Sequence, residues 1–418
     1  VTPGRRTIDE LGASRQLAIA VTYPFALGTR SGGSTSVFET VCALARQGAA
    51  VTVLPVSTAK WTSFPRPRLD PELLGAERRE RLAALGVEVV PVRPDPLTQW
   101  RDGRRVARAV RALARRRRID VLLGFHNEAS GLPRLASALG ARFGMIALWQ
   151  SYRMALEEDP SRHGAAASLV RLLNRQVVVE PLRRAERVFA SSAFTRDELV
   201  EVVGVDAERI RVSYLGIDPV FATLARPRPE RIERLLFFGR LVPGKGVYDA
   251  LEALAALAAA GGRSWSYRLM GDGEVETVAA RARELGIADR IEILPFQDRE
   301  ALCREIEAAQ LALMPSHSES FGLSIAEAQA AGLPVVAFCC GSVPEIVAHG
   351  VTGWLAPFRD VGALRRCLEE AIADPAATFR AGLAGRERVA RKFTWPESAR
   401  RILAGLRELG EAGENQTS

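Results

Sequence analysis

The chain alternates between short, nearly continuous apolar runs and longer stretches in which apolar residues return every three or four positions. The runs Leu17–Tyr23, Val51–Val56, Val87–Val92, Val121–Phe125, Met145–Trp149, Val188–Ser191 and Ile210–Tyr214 read as strands. Several of the gaps between them carry a helical period, the first from about Ser34 to Gly48. Strands that are apolar on both faces and alternate with helices predict a parallel sheet covered on both sides.

The composition changes at Arg226-Pro227-Arg228-Pro229-Glu230, a charged, proline-rich segment that reads as a linker. A second alternating series follows. Its strands are Leu235–Phe238, Tyr267–Met270, Ile291–Leu294, Leu311–Met314 and Val335–Phe338. Its helices are Val247–Leu257, Thr277–Leu285, Arg299–Ala308, Ser324–Ala331 and Val361–Ala373. A last helix, Ser398–Leu409, follows Pro396, and the remainder reads as a frayed polar tail. The predicted division is an N-terminal segment 1–14, a first Rossmann-like domain 15–222, a linker 223–233 and a second Rossmann-like domain 234–395. A helix at 396–410 and a tail at 411–418 complete it. Ligands of such α/β sheets bind outside the carboxyl ends of the strands, so chemistry is sought in the loops that follow them.

At 418 residues the chain is long enough for two such cores, and 47% hydrophobic with 25% charged residues is a globular composition. No apolar run approaches the ~20 residues of a spanning helix, and the first fourteen residues carry no signal-type apolar segment, so a cytoplasmic location is expected. Five cysteines without a C-x-x-C spacing and four scattered histidines predict no metal site. The net charge of +8 suits phosphate-bearing ligands, peripheral contact with an anionic membrane surface, or simple solubility. The densest basic run, Arg101–Arg118, repeats Val106, Val110 and Leu113 at helical spacing. It reads as the solvated face of an amphipathic helix, and without interleaved aromatics it does not read as a nucleic-acid site.

Three loops carry candidate chemistry. Gly239-Arg240-Leu241-Val242-Pro243-Gly244-Lys245-Gly246 joins a strand to a helix. Such a loop offers backbone N–H groups to a phosphate, Arg240 can fork onto its oxygens and Lys245 adds a point charge. Only three of the 57 basic residues are lysines, which makes Lys245 conspicuous. Gly239, Gly244 and Lys245 also fit G-x-x-x-x-G-K-[ST], but Gly246 stands where a P-loop needs a hydroxyl for magnesium. The plainer reading is a turn with two surface cations. The second loop, Pro315 to Glu327, carries Glu319, Phe321, Gly322 and the helix start Leu323-Ser324. Glu319 can accept sugar hydroxyls. Glu327 can bridge the two hydroxyls of a ribose, or serve with Ser324 as a capping box. The third loop, Thr29 to Ser34 with Gly32 and Gly33, allows close backbone approach to a diphosphate, or is a flexible loop with a serine cap.

Together these features resemble the family 4 glycosyltransferases of GT-B fold, from about residue 15 to 410. The G-R-L-x-x-x-K-G loop fits at Gly239–Gly246. The paired glutamates fit at Glu319 and Glu327, and Phe321-Gly322 lies in the expected place. Gly341-Ser342-Val343-Pro344-Glu345 looks like the family's G-G-x-P-E segment, with Ser342 for the second glycine. Gly32-Gly33 and Ser192-x-Phe194-Thr195-Arg196 match in the first domain. The resemblance implies two Rossmann-like domains facing across a donor/acceptor cleft, with a nucleoside-diphosphate sugar, UDP- or GDP-linked, as donor substrate and no cofactor. It implies a retaining, metal-independent transfer to a small polar acceptor in secondary-metabolite or cell-envelope glycoconjugate synthesis. Arg240 and Lys245 would hold the diphosphate and stabilise it as it leaves. Glu319 would bind the donor sugar and Glu327 the ribose. Backbone amides of Phe321, Gly322, Leu323 and Ser324, with Gly239, Gly32 and Gly33, would line the donor. His126 follows Val121–Phe125, one position later than the histidine that many relatives place there; it is either a contact to the donor sugar or a solvent-facing residue. Gln150 replaces a second histidine of some relatives. The competing readings are a P-loop-like NTPase and a non-catalytic basic protein that binds nucleotides or nucleic acid.

Overall fold

The computed structural model describes residues 16–24, 27, 32–56, 75–95, 101–149, 151–156, 172–173, 175–261, 264–296 and 298–411. Residues 1–14, Thr29–Ser31, Gln150 and the tail beyond 411 lie outside them. The chain divides into two compact units. One runs to Gly216 and resumes at Trp395; the other is Ile217–Thr394.

The first unit holds a parallel sheet of β1 (Ala18–Tyr23), β2 (Ala50–Pro55), β3 (Glu88–Val89), β4 (Val121–Gly124), β5 (Arg142–Ala147), β6 (Arg187–Ala190) and β7 (Ile210–Val212). Its strand order is β3-β2-β1-β4-β5-β6-β7. The second unit holds β8 (Arg234–Phe238), β9 (Ser266–Met270), β10 (Ile291–Leu294), β11 (Leu311–Leu313), β12 (Val335–Phe338) and β13 (Gly353–Ala356), in the order β10-β9-β8-β11-β12-β13. All of these pairings are parallel. Both are Rossmann-like sheets whose order reverses once, between β1 and β4 in the first unit and between β8 and β11 in the second. Loops leaving adjacent strands at such a reversal diverge to opposite faces, and the crevice between them is where ligands of these folds sit.

Four departures from the expected elements have local causes. The run read as Met145–Trp149 forms its strand three residues earlier. Glu186 accepts from the Arg142 guanidinium at 2.8 Å and from Phe143 N–H at 3.1 Å, which secures the polar start of β5. Of Val87–Val92 only Glu88–Val89 is a strand, joined by a lone bridge between Val56 and Val92. β13 is absent from the expected strands and opens on Gly353. A Cβ at Gly353 would stand 2.3 Å from the carbonyl oxygen of Val335, so only glycine lets this strand lie against β12. The helix Pro375–Lys392 shows almost no apolar period because the face it buries is made of Thr378, Ala381, Gly382, Gly385 and Val389. Its start is capped by Asp374, which accepts from Ala377 N–H at 2.9 Å.

The proline-rich segment at 226–230 lies ten residues past the division at Gly216, within the second unit. There Arg226 donates to the carbonyls of Ile306 and Ala309 at 2.8 and 2.7 Å, capping the helix Arg299–Ala308. The last helix, Trp395–Glu411, groups with the first unit. Ser213 Oγ donates to the carbonyl of Ser398 at 3.1 Å, and Arg211 pairs with Glu408 at 2.9 Å. No helix among the described residues is long and apolar enough to cross a membrane.

Candidate functional site

In the second unit the two motif loops leave β8 and β11, the neighbouring strands at the order reversal, and backbone contacts join them. His317 N–H donates to the carbonyl of Gly244 at 3.0 Å. Gly246 ends the one-turn 3-10 segment Pro243–Lys245 in a left-handed conformation (φ 68°), and a Cβ there would stand 1.7 Å from the carbonyl oxygen of Pro315. Two requirements therefore coincide at this position: positive φ and the close passage of another chain. The residue that breaks the P-loop pattern is a glycine because the neighbouring loop occupies the space of any side chain. Gly239, at φ 148°, lies similarly tight: a Cβ on Gly271 would meet its carbonyl oxygen at 1.7 Å.

This stitching brings Lys245 and Glu319 together. Lys245 Nζ donates to Glu319 Oε1 at 2.7 Å, with the side chains 18% and 9% exposed. The backbone of Glu319 is held from behind. Its carbonyl accepts from Ser342 N–H at 3.0 Å and Ser342 Oγ at 3.1 Å, and a Cβ at Gly341 would lie 2.4 Å from that oxygen. The segment Gly341-Ser342 thus acts as a buttress for the Glu319 loop. Arg240 points to solvent and makes no ion pair or side-chain hydrogen bond among the described residues. Beside the pair, His317 Nε2 lies 2.8 Å from Asp249 Oδ2, which anchors the start of the loop to the helix Val247–Ala259.

The helix Leu323–Ala330 begins on Gly322, which sits at φ 84° in the cap position and supplies no side chain. Ser324 is therefore the second helical residue rather than the cap, and the capping box expected of Ser324 and Glu327 does not form. The Glu327 carboxylate makes no hydrogen bond or ion pair among the described residues. Burial pushes its pKa up to about 8, against the pull of Arg299 and with a further push from Asp218. Arg299 and Asp218 are themselves ion-paired, so little of the cation's field is left for Glu327. A carboxyl group without partners, in a place that penalises its charge, is suited to accepting from hydroxyl groups that arrive with a ligand. The Phe321 ring is 2% exposed and packs edge-on to Phe393 at 5.4 Å. Only its backbone can serve a ligand. Leu323 and Ser324 are half-buried at the helix start.

In the first unit the corresponding loops leave β1 and β4. Gly32 and Gly33 open the helix Gly32–Arg46, and a Cβ on Gly33 would stand 3.1 Å from the hydroxyl of Tyr23 at the end of β1. His126 follows β4, 8% exposed, and burial lowers its pKa to about 3, so its ring is neutral. The side chain that shapes this loop is one the sequence reading passed over. Glu128 is fully buried and accepts from Phe125 N–H at 2.9 Å, from His126 N–H at 3.0 Å and from Thr22 Oγ1 at 3.3 Å. It ties the end of β4 to β1, and burial raises its pKa to about 7 against those hydrogen bonds. Glu198 plays a similar part in the segment that begins at Ser192. It accepts from Ser151 Oγ at 2.6 Å and Tyr152 N–H at 2.8 Å, while Ser192 caps its own helix by accepting from Thr195 N–H at 3.0 Å.

Residues 30–221 match the Glycosyltransferase Family 4 model, and residues 225–388 match that of Glycosyl transferases group 1. The chain belongs to the family 4 glycosyltransferases. D-inositol 3-phosphate glycosyltransferase of Mycolicibacterium smegmatis is 36% identical over 251 residues, covering 56% of this chain and 55% of that protein. The Mycobacterium tuberculosis (strain F11) protein of the same name is 34% identical over 261 residues, covering 58% and 52%. The chain spans about half the length of the curated relatives it matches. Among solved structures, sucrose-phosphate synthase from Thermosynechococcus elongatus superposes with a TM-score of 0.75 at 20% identity, over 95% of this chain and all of that one. Anabaena HepE in complex with UDP and glucose gives 0.69 at 19%, over 93% and 99%. The fold of this family 4 chain is thus GT-B, with two Rossmann-like units. The loops after β8 and β11 both fall inside the group 1 match, and Gly32, Gly33 and the loop after β4 fall inside the family 4 match.

Proposed function

We propose that the protein is a retaining, metal-independent glycosyltransferase that moves a sugar from a UDP- or GDP-linked donor to a small polar acceptor. The observation that carries this is the Lys245–Glu319 pair at the carboxyl ends of β8 and β11, with the unpartnered Arg240 in the same loop as Lys245. The donor diphosphate takes up Arg240 and the free N–H groups of Lys245. Glu319 and the N-terminal amides of the helix from Leu323 face the sugar, and Glu327 accepts from the ribose hydroxyls. As the bond from the sugar's anomeric carbon to the diphosphate oxygen breaks, that oxygen keeps the electron pair. Two cations, Lys245 and Arg240, then stand where negative charge develops, the task a metal performs in other transferases. The acceptor attacks from the face the diphosphate leaves and passes its proton to the departing phosphate, so the configuration is retained.

UDP as the nucleotide is favoured by Anabaena HepE, which was crystallised with UDP and glucose. The inositol phosphate acceptor in the names of the mycobacterial relatives favours a small, polar, anionic acceptor. A neutral His126 by the Gly33 loop suits a hydrogen-bonding contact to the donor sugar rather than a charge. The P-loop reading is disfavoured by Gly246, whose Cβ direction is filled by Pro315.

The test is a thermal-shift screen with UDP, GDP, ADP, dTDP and ATP, each in EDTA and in magnesium. Stabilisation by one nucleoside diphosphate in EDTA is expected, about 2.7 kcal/mol at a hundredfold excess over Kd. Stabilisation by ATP alone, and only with magnesium, would refute the transferase.

A further inference from the structure

Two of the five cysteines are adjacent: Cys339 and Cys340 follow directly on β12. The other three, Cys42, Cys303 and Cys367, are buried, and burial raises each of their pKa values, that of Cys42 to about 11. Buried thiols of this kind are inert core groups. Cys339 is exposed and Cys340 is half-buried. The Cys340 thiol donates to the carbonyl of Ser316 at 2.9 Å, at the start of the Glu319 loop, and burial beside Glu319 pushes its pKa up to about 12. The pair thus combines a thiol open to solvent with a protonated neighbour one residue away.

The pair also sits at the root of the Glu319 buttress. Cys339 N–H donates to the carbonyl of Ala356 at 2.7 Å, Cys340 N–H to that of Phe338 at 3.1 Å, and the Cys340 carbonyl accepts from Val343 N–H at 3.0 Å. Gly341 follows in a left-handed conformation (φ 51°), packed directly against the Glu319 carbonyl that Ser342 holds with its N–H and Oγ. Adjacent Cα atoms lie about 3.8 Å apart across a trans peptide, short of the roughly 4.4–6.8 Å that an unstrained disulfide spans. A bond between these two sulfurs therefore twists the peptide between them and pulls on Gly341 and Ser342. It also removes the hydrogen that Cys340 gives to Ser316. Strain of this kind leaves a disulfide easy to reduce again.

We propose that Cys339-Cys340 is a redox-modification site, closed by oxidants of the peroxide class into a vicinal disulfide that weakens donor binding. The Cys339 thiolate attacks one oxygen of hydrogen peroxide, the O–O bond breaks, hydroxide leaves and Cys339 becomes a sulfenic acid. The Cys340 sulfur then displaces the hydroxyl from Cys339, and its proton leaves with that hydroxyl as water. Two thiols and one peroxide give one disulfide and two waters, and a dithiol reductant reverses the change. The disulfide chemistry is independent of the reaction catalysed. Its effect on donor binding rests on the transferase reading, in which Glu319 and Lys245 hold the donor.

The test treats the full chain with a small excess of hydrogen peroxide, then with iodoacetamide and trypsin. No lysine or arginine lies between Arg304 and Arg359, so one peptide carries these two cysteines and no other. After peroxide that peptide should lose two hydrogens and take up no alkyl group, and dithiothreitol before alkylation should restore two alkylated sites. Affinity for UDP or GDP, whichever stabilises the reduced chain, should fall about tenfold on oxidation and return with dithiothreitol. Cys339→Ser changes only an exposed thiol, so it should keep the melting temperature and affinity of the reduced parent and lose the response to peroxide. Two alkylated cysteines after peroxide would overturn the proposal, as would a sulfinic acid at Cys339 beside an alkylated Cys340. So would a disulfide that leaves affinity unchanged, or an equal loss of affinity in Cys339→Ser. A reduced chain that no nucleoside diphosphate stabilises would refute the transferase reading instead, and the mass of the peptide would still decide the disulfide.

Discussion

Replacing Glu327 by glutamine tests the site at its most unusual group. In the folded chain this carboxyl titrates near 8 instead of 4.5. The folded state therefore keeps a proton that the unfolded chain gives up. Stability from this group is fully present below pH 4.5 and is lost as the pH rises through about 8. Each pH unit in that window lowers stability by about 1.4 kcal/mol. From pH 5.5 to 8 the ceiling is about 3 kcal/mol, and the water that reaches the half-buried side chain brings it to about 2 kcal/mol. Glutamine has nearly the same shape and no proton to lose. Urea unfolding of the two proteins at pH 5.5 and 8 should therefore show the variant gaining about 2 kcal/mol on the parent as the pH rises. The same substitution should weaken nucleoside-diphosphate binding by about 10- to 100-fold, because a glutamine offers one acceptor oxygen where an ionised carboxylate bridges two hydroxyls. Binding to the parent should strengthen from pH 6 to 8, as ligand hydroxyls favour the ionised form, while binding to the variant should stay flat. Parallel stability curves, together with a pH-independent affinity for both proteins, would refute the reasoning and leave Glu327 as a packing residue.

The two cations should separate in their effect on folding. Lys245→Ala and Arg240→Ala should each cut turnover sharply, but Lys245→Ala leaves the buried Glu319 carboxylate without its partner and should cost about 2 kcal/mol in urea unfolding. Exposed, unpartnered Arg240 should cost less than about 0.5 kcal/mol, and equal stability losses would contradict the pairing. His126 predicts acid sensitivity: its pKa near 3 in the folded state against 6.5 unfolded gives stability that is complete above pH 6.5 and lost as the pH falls toward 3. His126→Asn should therefore be less destabilised than the parent between pH 6.5 and 4.5, by up to about 3 kcal/mol; an unchanged acid profile would show that the ring is solvated.

What could be read from the sequence was chemistry carried by neighbours along the chain. Arg240, Lys245, Gly239 and Gly246 lie within eight residues, and their strand–turn–helix setting follows from the local apolar pattern. The misread parts depended on contacts from elsewhere. The sequence shows that Gly246 lacks the P-loop hydroxyl, but the reason for a glycine there, Pro315 in the space of a side chain, comes from a loop some seventy residues away. Ser324 and Glu327 matched a capping box letter for letter, yet the left-handed Gly322 starts the helix one residue before Ser324 and leaves no cap to close. Glu128 gave no signal, because a buried carboxylate that serves backbone N–H groups of β4 and a threonine of β1 belongs to no local motif. The Lys245–Glu319 pair spans 74 positions and could not be seen as a pair in either loop alone. It was implied one level up. In a sheet ordered β10-β9-β8-β11-β12-β13, the first and fourth strands of the unit are the two that flank the reversal. The glycine-rich loop follows the first and the glutamate loop follows the fourth, so the connectivity that makes the unit Rossmann-like also forces these two loops to meet. The same holds for the Gly33 loop after β1 and the His126 loop after β4. Counting strands from the start of each unit, rather than scanning for motifs, is what turns four separate loops into two sites.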